Sequence, residues 1–289
     1  MFDQVQIFGD RPIGNCLFVT CDLVYFKKFY SKILESYCMN LSGFDSFHCH
    51  VICPETRISE LKTNNLSPNC TISYEIITDV KKVLHHLNCE NYHWLNIKEK
   101  SIRAMLITEA YRNSRIKSFL FNLVNRIPLF SDILIDKLSP LRYINETKFK
   151  TYYSLRRFLM PQSFFSHVKG LLITDIDSHF QFPLDFSELD SSSSQAISRN
   201  GMWSKFMAGF VFFKFESLGK STSLFTLDEL IIKLIQNQGL HWGIDQIALD
   251  SLGKRKLLSS INSIKHSFSS DYDEDTIFVS IKGPSKWKD

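Results

Sequence analysis

The run GLLITDIDSHF covers residues 170–180. Leu171 to Ile173 read as a strand buried on both faces, because an unbroken apolar run of strand length leaves no solvent side. Asp175 and Asp177 follow at its carboxyl end. In open α/β sheets, ligands bind in the crevice beyond the carboxyl ends of the strands. Two carboxylates one residue apart can both face a divalent cation there, with water or phosphate oxygens completing an all-oxygen shell suited to Mg2+ or Mn2+. The same residues also suit a plain turn, in which Asp side chains accept from nearby backbone N–H groups. At this point both uses stay open.

Strands and helices alternate on the amino-terminal side of that run. NCLFVTC (15–21) is an apolar strand, and DLVYFKKFYSKILESYC (22–38) repeats Val24, Phe29, Ile33 and Tyr37 at helical spacing behind Asp22 as N-cap. FHCHVIC (47–53) and TISYEII (71–77) read as strands, and DVKKVLHHL (79–87) as a short helix. TYYSLRRFLM (151–160) predicts a helix stopped by Pro161. Beyond the aspartates come a strand at FMAGFVFFKF (206–215), helices at TLDELIIKLIQNQ (226–238) and WGIDQIALDSL (242–252), an acidic loop SSDYDED (269–275) and a strand TIFVSI (276–281). This order predicts an α/β fold with a mostly parallel central sheet flanked by helices. No internal repeat or linker breaks the 289 residues, so one domain is expected, with a basic helical insert at about 101–150.

Composition sets the class. The chain is 44% hydrophobic and 22% charged, with 25 Phe, which excludes disorder and supplies a sizeable core. Apolar runs such as FMAGFVFF (206–213) fall far short of the roughly 20 apolar residues of a membrane-spanning helix. No secretory apolar stretch opens the sequence, and a cytoplasmic location is expected. Net charge is +4, but residues 101–170 hold 12 Lys/Arg against 4 Asp/Glu. That local excess suits an anionic partner or is simply a solvated Lys/Arg face. It lacks the clustered basic and aromatic pattern of an RNA-binding module, so no nucleic-acid partner is expected.

All seven cysteines lie between Cys16 and Cys89, with no C-x-x-C pair, a pattern of reduced thiols rather than a disulfide framework. His48, Cys49, His50 and Cys53 invite a zinc reading. On a strand, however, only His48 and His50 share a side, and no second ligand pair follows at finger spacing.

Taken in order, these blocks resemble a GT-A-fold glycosyltransferase of the family 8 type, the glycogenin and bacterial lipooligosaccharide galactosyltransferase group. The likeness runs over roughly residues 15–289. Cys21–Asp22 with Tyr25 beyond resembles the family's first strand and its uridine-binding edge. TYYSLRRFLMP (151–161) resembles the helix that brings an arginine to the donor, Arg157 with Arg156 second. Asp175 and Asp177 match the metal-binding Asp-x-Asp, for Mn2+ or Mg2+. FMAGFVFF is similar to the Phe-Asn-Ala-Gly-Val strand, which implies donor contacts at Ala208 and Gly209, with Met207 standing where Asn is usual. WGIDQIAL (242–249) is similar to the Asp-Gln block, so Asp245 and Gln246 are implied as the catalytic pair facing the sugar and the reacting centre. SIKGPSKW (280–287) resembles the tail whose Gly and Lys, here Gly283 and Lys286, close over the diphosphate. Ser280 occupies the position of that tail's metal-binding His.

The resemblance implies transfer of a sugar from a nucleotide-diphosphate sugar, a UDP-sugar first, to an acceptor glycan, lipid-linked sugar or protein, with retention of configuration. A basic insert at 101–150 suits a phosphorylated or lipid-linked acceptor, or peripheral contact with an anionic membrane. Two other classes stay open. Met207 and Ser280 favour a non-catalytic binding module on a degraded GT-A fold. A haloacid-dehalogenase-like phosphatase would use Asp175 as nucleophile, but that family usually continues with Gly-Thr where this chain has Ser178–His179.

Overall fold

In the computed structural model, residues 6–53, 55–61, 69–76, 152–189, 192–198, 205–238, 243–267 and 273–280 are described. Strand composition sets the architecture. In β4 (Ser46–Cys53) every residue is buried, and in β10 (Phe206–Lys214) only Lys214 is not. Such strands need cover on both faces. They lie inside an eight-stranded sheet ordered β1-β5-β4-β2-β6-β10-β9-β11. The other members are β1 (Ile7–Gly9), β2 (Ile13–Asp22), β5 (Cys70–Ile76), β6 (His167–Thr174), β9 (Gln195–Ser198) and β11 (Ser259–Ile261).

The fold is α/β, and the sheet is mixed where a mostly parallel one was expected. Its centre, β5-β4-β2-β6, is parallel throughout. β10 runs antiparallel to both β6 and β9, and β1 runs antiparallel to β5. A strand buried on both faces carries no direction in its pattern, which is why FMAGFVFFKF read as a strand without revealing its sense.

Helices cover each face. On β2, Leu17, Val19 and Cys21 face α1 (Leu23–Asn40), which buries Phe26, Phe29, Tyr30, Ile33 and Tyr37 against them. Asp22 is the N-cap, its Oδ1 accepting from the Tyr25 N–H at 2.8 Å. Cys16 and Phe18 face the other way, into the layer formed by α2 (Thr222–Gln238), α3 (Ile244–Lys254) and the segment 152–165. The expected helix at 151–160 is shorter, helical over 152–156 and turning at 157–158. The expected helix at 79–87, the insert at 101–150 and the tail from 281 lie outside the described residues.

Two small sheets accompany this core: β3 (Leu41–Ser42) with β8 (Leu184–Asp185), and β12-β13-β7, built from β12 (His266–Ser267), β13 (Phe278–Ser280) and β7 (Ser178–Phe180). β7 leaves the turn that holds Asp175 and Asp177, and β13 pairs with it so that Ser280 lies opposite Ser178. Among the described residues, no helix is long and apolar enough to cross a membrane.

Candidate functional site

β6 ends at Thr174, and the chain turns at once. The Ser178 N–H reaches the Asp175 carbonyl at 3.2 Å, and buried Ile176 pins the turn between two half-buried aspartates, Asp175 and Asp177. Asp175 is held against β10, its N–H donating to the Gly209 carbonyl at 3.3 Å. Its carboxylate lies over Gly209 so closely that a Cβ there would stand 2.5 Å from Oδ2. Gly209 is therefore required by the aspartate rather than by its own backbone angles.

Arg157 joins this strand end to a helix. Its buried guanidinium donates through Nη1 to Asp175 Oδ1 and through Nη2 to Asp245 Oδ2, the latter at 3.3 Å. Asp245 enters from the first turn of α3, where the helix dipole favours a carboxylate. Gly243 precedes α3 with φ of 86°, a left-handed turn that favours glycine. Asp245 Oδ1 accepts from the Gln246 N–H at 2.8 Å. Burial pushes the Asp245 carboxyl up, against the opposing pull of Arg157.

Among the described residues, several buried polar atoms have no hydrogen-bond partner: Arg157 Nε, Gln246 Oε1, and the hydroxyls of Thr174, Ser178 and Ser280. Buried polar groups are nearly always satisfied in native proteins, and these atoms are open to further hydrogen bonds. Ser280 thus comes to the Asp-x-Asp turn through the β13–β7 pairing.

The remaining expected residues divide. Ala208 is buried in the layer facing α2 and α3, while Met207 is fully buried on the opposite face, its Cε 3.2 Å from where a Gly209 Cβ would lie. Cys21 is buried with its Sγ 4.0 Å from Cys49 Sγ, and burial pushes its thiol up. Asp22 is engaged in capping α1, and Tyr25 lies half-buried against Phe29 at 5.4 Å between ring centroids. The register Phe18↔Ile173 brings the carboxyl end of β2 to the same edge as Asp175. Gly283 and Lys286 lie outside the described residues.

Arg156 turns the other way. It goes into the interior, to Glu75 on β5, Nε to Oε2 at 2.7 Å. Tyr152 Oη donates to Glu75 Oε1 at 3.1 Å, and His50 Nε2 stands 3.4 Å from Oε2. His48 and His50 do share one side of β4, as the strand reading expects, and they share a hydroxyl: each has a ring nitrogen 2.8 Å from Ser73 Oγ. The second ring nitrogen of His48 meets Thr71 Oγ1 at 2.7 Å. Among the described residues, no group of three or more His, Cys, Asp or Glu side chains is arranged to hold a metal ion. The histidines are bonded to hydroxyls, and the zinc reading has no support.

No protein-family model matches the chain, and no curated protein matches it.

The tight seat over Gly209 gives a direct test. Gly209→Ala is expected to leave the fold intact, because the atom displaced is the end of a side chain, while driving the Asp175 carboxylate off Arg157. Thermal unfolding should change by less than about 1–2 kcal/mol, within the range of ordinary overpacking. Any cation or nucleotide bound at Asp175 should bind at least about tenfold more weakly, roughly 1.4 kcal/mol. Unchanged ligand affinity in a folded Gly209→Ala protein would contradict this seat.

Proposed function

We propose that the chain is a GT-A-fold, metal-dependent glycosyltransferase, moving a sugar from a nucleotide-diphosphate sugar, a UDP-sugar first, to an acceptor. The observation that carries this reading is the meeting of Arg157, Asp175, Gly209 and Asp245. These residues come from separate blocks of the sequence resemblance and converge at the carboxyl edge of the parallel strands, where α/β sheets bind ligands.

The donor set fits a hard divalent cation. The carboxylates of Asp175 and Asp177 are the hard oxygens such an ion takes, Ser178 and Ser280 add neutral hydroxyl oxygens at the same turn, and the Arg157 guanidinium lies between Asp175 and Asp245. Asp175 and Asp177 would hold Mn2+ or Mg2+, with solvent and phosphate oxygens supplying the remaining positions. When bound, that ion supplies Lewis-acid stabilisation of the diphosphate leaving group. Arg157 contributes a fixed positive charge that needs no reorganisation as negative charge builds on the departing phosphate. Asp245 keeps that guanidinium aimed along the strand ends, and Gln246 offers its free Oε1 as an acceptor for a sugar hydroxyl. Retention of configuration follows only by analogy with the family.

A second reading, a binding module without turnover, is favoured by Met207, whose buried thioether stands where a donor-contacting Asn would be.

The experiment is thermal unfolding with UDP-, GDP- and dTDP-sugars, each with Mn2+ or with chelator, on wild type and on the Asp175→Asn/Asp177→Asn double variant. One nucleotide should stabilise the wild type only with metal, by about 2.7 kcal/mol at a hundredfold excess over Kd. The double variant should show no shift. Absence of any shift in a cooperatively melting wild type overturns the proposal. A shift without sugar transfer or hydrolysis selects the binding module.

A further inference from the structure

Arg156 and Arg157 are consecutive, yet they bind different elements: Arg156 bonds Glu75 on β5, and Arg157 bonds Asp175 beyond β6 and Asp245 on α3. Arg156 is fully buried, with Nε donating to Glu75 and Nη1 to the carbonyl of Leu159, three residues further along its own chain. The backbone is tied over the same span, since the Leu159 N–H donates to the Arg156 carbonyl at 3.1 Å. These contacts close a ring of chain whose only contents are Arg157 and Phe158. Glu75 is itself fixed by Tyr152 and lies on β5, in the parallel centre of the sheet.

We propose that the buried Glu75–Arg156 pair is a positioning anchor: it fixes the turn at 157–158 so that the Arg157 guanidinium stays between Asp175 and Asp245. The helix ends at residue 156, so Arg157 has no helical hydrogen-bond ladder beyond it to set its direction. The anchor supplies that direction from the strand side. A planar fork is needed for the task, because Nε and Nη1 bond groups from different chain segments. A single ammonium cannot reproduce that geometry. The use of Arg157 in donor binding rests on the function proposed above, whereas the anchor itself does not.

The test is hydrogen exchange of the Arg157 guanidinium Nη–H protons, which bond Asp175 and Asp245, in the full 15N-arginine-labelled chain, with the resonances assigned by their loss in Arg157→Lys. Two variants are compared with wild type. Glu75→Gln/Arg156→Met removes both buried charges together and is designed to fold. Arg156→Lys keeps the charge opposite Glu75 but not the fork. In both, the Arg157 Nη–H protons should exchange with water at least tenfold faster, while backbone amides of β6 and α3 keep their protection. Unchanged Arg157 exchange in either folded variant overturns the anchor. So does a rise matched by the β6 and α3 amides, because that marks general loosening. Titration of the wild type with UDP and Mn2+ is read separately. No binding there removes the donor-site reading and leaves the exchange result to decide the anchor.

Discussion

Replacing Arg156 alone by Met is expected to lower unfolding stability by about 3–5 kcal/mol, because it strands the Glu75 carboxylate in the interior without its cation. Both side chains of the pair are fully buried. Burial alone would push the Glu75 carboxyl up. The charge of Arg156, with a hydrogen-bonding contact from His50, outweighs that and holds it at about 2. Glu75→Gln alone, which strands the guanidinium instead, should be destabilising to a similar degree. The double change Glu75→Gln/Arg156→Met should recover most of either loss. No buried charge then remains, and the Gln oxygen still accepts from Tyr152 Oη. Urea unfolding of the four proteins measures the coupling directly, and an interaction energy above about 2 kcal/mol is expected for partners in direct contact. Losses that simply add would show that the two charges do not act as a unit.

The parts of this fold that could be read from the sequence are those where pattern and chemistry agree. Asp22 announces α1 because a carboxylate ahead of a helical apolar repeat caps it, and the structure uses it so. LLIT announces a strand buried on both faces, and β6 is one. The sense of β10 was not legible, since burial on both faces erases the alternation that would tie a strand to its neighbours. Arg157 was separated from Arg156 only through the family resemblance. Physical reasoning alone offered a sharper sign: consecutive residues on a helix point about 100° apart, so two adjacent arginines cannot share one partner. Glu75 was missed although TISYEII carries one acid among apolar and hydroxyl side chains. A lone carboxylate in a strand of that composition asks for a buried cation, and in the structure that cation is Arg156. His48 and His50 tempted a zinc reading because spacing gives side and distance but not partners. Their partners, Thr71 and Ser73, come from the next strand.

Acidification from pH 7 to 5 is expected to destabilise the protein through those same histidines. Burial lowers His48 well below its ordinary value, and burial also lowers His50 despite the opposing pull of Glu75. A histidine kept neutral in the fold but free to protonate when unfolded contributes stability that is present above about 6.5, its unfolded pKa, and is lost as pH falls through that value toward the folded one. The slope is about 1.4 kcal/mol per pH unit for each such histidine. His50→Gln should therefore flatten the acid limb by about that amount relative to wild type. His179, lowered to about 4 by burial and then by Lys32, adds a background common to both proteins. Asp245 works in the opposite sense. Its folded carboxyl is raised, so its contribution is present below the unfolded value near 3.8 and is lost as pH rises through the folded one. Asp245 thus acts against the histidine trend, and Asp245→Asn removes that opposition. Urea midpoints at pH 7, 6 and 5 on the three proteins separate the contributions. Parallel acid limbs in wild type and His50→Gln would mean that His50 protonates as readily inside the fold as outside it, against its full burial between Ser73 and Glu75.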